Sequence, residues 1–168
     1  MITNSINLKN LDSTAKYFLS AFLLTLSVGI LTGLGYVYLT TSITPANTVE
    51  RFNGSEVEED EIPEEFPKPI ENMILTTHNH INSFAMISLL IGLIFYFNSI
   101  ASGKLKLFLL LEPFISTILT FSSIWLMRYC NEGFVYIVML SGILMYICWF
   151  AMIGISLYEL LLHNQNKD

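Results

Sequence analysis

Residues 133–162 read GFVYIVMLSGILMYICWFAMIGISLYELLL, thirty residues with one charged side chain, Glu159. At about 1.5 Å per helical residue such a run more than crosses a hydrocarbon core of ~30 Å. It does not alternate polar and apolar positions, as a barrel strand would. Lipid leaves only helices and closed barrels as spanning structures, so the stretch reads as a membrane helix. Three more runs of the same kind precede it, at 15–40, 73–97 and 105–127. The chain is therefore expected to be an all-α integral membrane protein, a single-domain bundle of four transmembrane helices.

Composition agrees. Hydrophobic residues make up 53 % of the chain and charged residues 13 %, where soluble domains carry about 25 % charged residues. The first apolar run is too long for the h-region of a removable signal peptide, about 7–15 residues, so it is expected to remain as a helix. Cys130 ends the third run and Cys148 lies well inside the fourth. The separation is about 22 Å at helical rise, which predicts two unpaired thiols.

Basic residues set the expected orientation. Lys9, Lys16, Lys104, Lys106 and Lys167 fall on one side, and Arg51, Lys68 and Arg128 on the other. Both termini are accordingly read as cytoplasmic, in a multi-pass membrane protein. Segment 42–72 then faces outward. It holds nine acids and two bases, a net charge of −7 within a total of −6. The run Glu56–Glu65 has too few apolar groups to fold alone. It is either a solvated tether or a patch that docks a basic soluble electron carrier or holds divalent cations weakly. Thr44-Pro45 is expected to stop the first helix, Asn53-Gly54 to turn the chain, and Pro69 to open the second helix.

Within the spans, Leu11-Asp12-Ser13-Thr14 is an N-cap cluster. Gly29 and Gly33 form a GxxxG pair that lets another helix approach, either within this bundle or in a homo-oligomer. Glu112-Pro113 places an acid and a kink in the third span. The acid either faces the bundle interior or, only ~9 Å beyond Lys106, reaches headgroup water. Ser116, Thr120 and Ser123 form a small polar stripe after it. Gly142, Met145, Trp149, Met152 and Ser156 share one face of the fourth span, where Met and Trp serve either packing or a cofactor wall.

Three histidines remain. His163 is at the inner end, while His78 and His80 open the second helix outside. The bilayer separates them, so they cannot share one metal or haem within a chain. On a helix His78 and His80 diverge by about 200° and do not chelate one ion. One of them is a candidate axial ligand for a b-type haem or a metal ion, with Met127, Met139 or a second subunit supplying the other ligand. Their plainer role is interfacial hydrogen bonding.

Thr44-Pro45, Phe52-Asn53-Gly54-Ser55, Phe66-Pro67-Lys68, Thr77-His78-Asn79-His80, Arg128-Tyr129 and Phe134-Val135-Tyr136 resemble a group of uncharacterised four-pass bacterial membrane proteins, often found in anaerobic or metal-reducing bacteria. The resemblance runs from about Ala15 to Met152. It implies a shared outer-side architecture and brings no activity with it.

No P-loop, Gly-x-Ser-x-Gly or Cys-x-x-Cys motif occurs, so no enzyme and no nucleic-acid partner is expected. Two functions stay open. One is a small haem- or metal-binding redox component that uses the acidic segment to dock its carrier. The other is a non-catalytic subunit that assembles with further membrane subunits.

Overall fold

The computed structural model describes residues 7–55 and 62–162. Among these residues the chain is helical, with no strand. A 3-10 turn, Leu8–Asn10, leads into α1 (Ser13–Thr41). Then come α2 (Pro45–Asn53), α3 (Ile70–Tyr96), α4 (Gly103–Tyr129), a second 3-10 turn (Glu132–Phe134) and α5 (Val135–Leu161). The helices α1, α3, α4 and α5 are each long and apolar enough to cross a membrane.

Their surfaces say which solvent they are built for. Leu39, Phe18, Leu140 and Tyr136 are more than 60 % exposed, and such side chains recur along every span. Water would penalise that much contiguous apolar surface, and lipid does not. The buried face is centred on α5, which packs against α1, α3 and α4. Ile91 and Phe95 of α3, Leu23 of α1, and Met145, Trp149 and Met152 of α5 are fully enclosed there. The Met and Trp stripe of the fourth span is thus packing. Phe84 bridges this core to a smaller cluster of Met73, Phe121 and Ile124.

Local chemistry sets the helix ends. Asp12 caps α1 by accepting from Ala15 N at 3.0 Å. The helix closes through Ser42, which is left-handed, as is Ile43. A β-branched residue at positive φ is strained, and here Thr41 Oγ1 accepts from Ile43 N at 3.2 Å. Thr44 is extended, as a residue before proline should be, and caps α2 by accepting from Asn47 N. Pro69 is the N-cap of α3.

The helix α2 is a departure from the sequence reading, in which 42–72 had no structured element. The segment after it is pinned as well. Ser55 N donates to Glu65 O at 2.9 Å, Glu65 N to Ser55 Oγ at 2.7 Å, and Lys68 N to Phe52 O at 3.1 Å. Gly54 makes the turn at φ +88°, and a Cβ there would sit 2.7 Å from Pro67 Cδ. Lys68 lies over the Phe52 ring at 4.3 Å. The acidic stretch 56–61 lies outside the described residues.

Candidate functional site

Three sets of polar groups are spaced along the bundle. The first lies at the α2 end and contains the histidines. Both are exposed. His80 Nδ1 is 2.8 Å from Thr76 O. A carbonyl only accepts, so Nδ1 is the donor in this bond and Nε2 is the ring nitrogen that faces away from it. The ring rests against Phe84 and Phe121, with centroids at 5.5 and 5.6 Å. His78 turns to Asn82 instead. The two imidazoles thus take different neighbours, as their helical spacing implies. Among the described residues no group of three or more His, Cys, Asp or Glu could hold a metal. Met127 is buried and Met139 half-buried, at the same end of the bundle. His163 lies outside the described residues. Beside His80, a groove of about 370 Å³ is lined by Thr77, Ile81, Phe121, Ser122, Trp125 and Leu126. Trp125 Nε1 spans its edge to Thr77 Oγ1 at 2.9 Å.

The second set is in the interior of α4. Glu112 is only 5 % exposed, so the alternative in which it reaches headgroup water does not hold. Helix α4 turns this residue toward α5 rather than lipid, and the Cys148 thiol of α5 faces its carboxyl. Ser116 Oγ donates to Glu112 Oε1. Further along the same face Thr117 Oγ1 donates to Pro113 O at 2.7 Å. Thr120 and Ser141 share a hydrogen bond of 2.7 Å across the α4–α5 contact. The expected small polar stripe therefore faces another helix.

The third set, at the end of the bundle opposite α2, was missed by the sequence reading. Glu159 is fully buried. Its carboxylate accepts from Asn98 Nδ2, Ser99 N at 2.8 Å, Ser99 Oγ at 2.7 Å and Lys9 N at 3.4 Å. Asn98 turns its own Oδ1 to Ile100 N and Ala101 N, at 2.9 and 2.7 Å. Lys106 Nζ donates to Asn98 O at 2.7 Å. One carboxylate thus ties the last turn of α5 to the α3–α4 turn and to the start of the chain. The only sequence signal for it was an acid one turn from the end of an otherwise uncharged span.

Gly29 and Gly33 are a correction in part. A Cβ at either position, or at Gly35, would meet no atom within 4 Å. The packing of this pair inside the bundle, one of its two expected roles, is absent among the described residues. Helix α1 meets α5 through residues such as Leu23 and Ile30, whereas 31–39 is almost wholly exposed.

A family model described as Aq_1264_TM, a transmembrane helical domain, matches residues 42–167. The chain belongs to this family. The match spans α2 to α5 and leaves α1 outside it. No curated protein and no solved structure matches the chain.

Proposed function

We propose that this protein is a non-catalytic subunit of a bacterial inner-membrane assembly, joined to its neighbour through the glycine face of α1. The termini are cytoplasmic in this reading, and α2 with the acidic segment faces outward. The observation that carries it is the bare stretch of α1 around Gly29 and Gly33. Glycine in a helix costs about 1 kcal/mol relative to alanine. In a membrane that cost is offset where a second backbone approaches closely. No helix among the described residues does so, and a helix of another chain, including a second copy, would supply that approach.

Native gel migration after mild solubilisation tests the reading. Wild type should run well above its own 19.1 kDa plus detergent, and the Gly29→Leu/Gly33→Leu double variant should fall to the monomer position. A wild type that already runs as the monomer sinks it.

A second reading keeps the redox role. It is favoured by His80, whose Nδ1 is held by a backbone carbonyl while Nε2 is free. Metal-ligating histidines are commonly oriented in this way. A haem b or metal ion held there would need its other ligand from Met127, Met139 or a neighbouring subunit, with a basic electron carrier docking on the acidic segment. Purified protein with a Soret band that vanishes in His80→Ala supports this reading, and a spectrum without a Soret band after reconstitution with haem removes its haem form.

A further inference from the structure

We propose that Glu112 is an intramembrane binding site for a single monovalent cation, either a proton or an alkali ion such as Na⁺. The site needs neither the partner helix nor the haem discussed above. Its starting point is an unbalanced group. Glu112 is 5 % exposed, and Oε2 is buried with no hydrogen-bond partner, while Oε1 is engaged by Ser116. The one ion pair among the described residues joins Arg51 to Glu65 at the α2 end. Lys106, the nearest base along α4 toward its start, has its ammonium on Asn98 O. The titratable group that faces the carboxyl from α5 is the Cys148 thiol. No positive side chain among the described residues therefore neutralises Glu112.

Depth makes that imbalance costly. Glu112 lies nine residues into α4, about 14 Å along the helix at ~1.5 Å per residue. An isolated charge buried in a membrane span is expensive and is normally paired or neutralised. The charge that the protein does not supply comes from solution. Oxygen donors suited to a small hard cation are close at hand. Pro113 has no N–H, so the carbonyl of Leu109, itself buried, lacks its helical donor. The Glu112 carboxyl itself reaches the other way along α4, to the hydroxyl of Ser116 one turn further on. The buried hydroxyls of Ser116, Thr117, Thr120 and Ser141 continue from this point toward the α2 end.

Infrared difference spectroscopy of the full chain in lipid bilayers, wild type against Glu112→Gln, tests the proposal and separates the two ions. A bound proton gives a carboxylic-acid carbonyl band in wild type that is absent from Glu112→Gln. With rising pH that band gives way to carboxylate bands, the acid form falling about tenfold per pH unit once the proton leaves. A bound alkali ion gives instead carboxylate bands at neutral pH that shift when Na⁺ is replaced by choline. Carboxylate bands indifferent to both pH and choline exchange overturn the proposal. Glutamine matches the shape of the neutral acid, so this variant is expected to fold. Glu112→Asp, which moves the band without deleting it, provides the same comparison if it does not.

Discussion

Removing the Glu159 carboxylate should loosen one whole end of the bundle, and the cost follows from its partners. In Glu159→Ala the Asn98 Nδ2 donor is stranded in a residue only 3 % exposed, at about 1–3 kcal/mol. The two bonds from Ser99 to a charged acceptor are worth about 1.5–3 kcal/mol each before water takes their place. Ser99 is exposed, so part of that is recovered, and the total comes to roughly 4 kcal/mol. That is a large share of the ~5–15 kcal/mol that holds a domain together. Glu159→Gln keeps one acceptor oxygen but sets an amide N–H₂ against the Asn98 amide or the Ser99 N–H, for about half the loss. Asn98→Asp is worse than the amide swap, because it sets carboxylate against carboxylate. The double variant Asn98→Asp/Glu159→Gln restores a donor–acceptor pair, and the introduced carboxylate still accepts from Ile100 N and Ala101 N. It should recover about 2 kcal/mol relative to the sum of the single changes. Denaturant titration in bicelles, followed by far-ultraviolet circular dichroism, measures all four variants against wild type. Additive losses, or a Glu159→Ala protein as stable as wild type, would show that the carboxylate is not the tie described here.

Three further outcomes can be checked separately. Gly54→Ala should destabilise the turn after α2 by about 1–3 kcal/mol, since it combines φ +88° with a 2.7 Å contact to Pro67; faster proteolysis within segment 55–66, with the spans intact, is the readout. Burial, and then the Arg51 guanidinium, hold the Lys68 ammonium below its ordinary 10.5, against a smaller upward pull from Glu65. The folded chain therefore binds fewer protons than the unfolded one between that lowered value and 10.5. Protection of the α2 region from hydrogen exchange, after correction for intrinsic rates, should rise with pH across that window. Lys68→Met should abolish the rise. Trp149 Nε1 donates to Ser88 Oγ at 3.0 Å in the buried core, so Trp149→Phe should cost about 1–2 kcal/mol. Ser88→Ala in the same background should add little to that loss.

How far the residues announced this structure depended on the range of the interactions involved. The four spans were legible because lipid imposes a length and a composition on each helix separately. Asp12, Thr44-Pro45 and Pro69 were legible because a helix end is decided within a few residues. Nine residues of α2 are too few to show a helical period, and the pinning of Ser55 by Glu65 crosses an acidic run that reads as loop. Nothing local to Glu159 announces its burial, because its partners lie at Lys9, Asn98 and Ser99, far away in sequence. The burial of Glu112 was ambiguous for a related reason. Counting along α4 from Lys106 gave a depth but not the side of the helix, and only the packing of α5 shows that the carboxyl faces inward. The glycines of α1 named a surface and could not say what covers it.

The central claim is that four helices cross a bilayer with the α2 end and the α3–α4 turn on opposite sides. Cys130, exposed at the α2 end of α4, and Cys148, buried in α5, make it testable with little engineering. In intact cells a membrane-impermeant maleimide should label Cys130 and leave Cys148 untouched. A cysteine placed at Ser102, in a Cys130→Ser background, should react only after the membrane is opened. Labelling of both Cys130 and the Ser102 position from the same side of a sealed membrane would contradict the account.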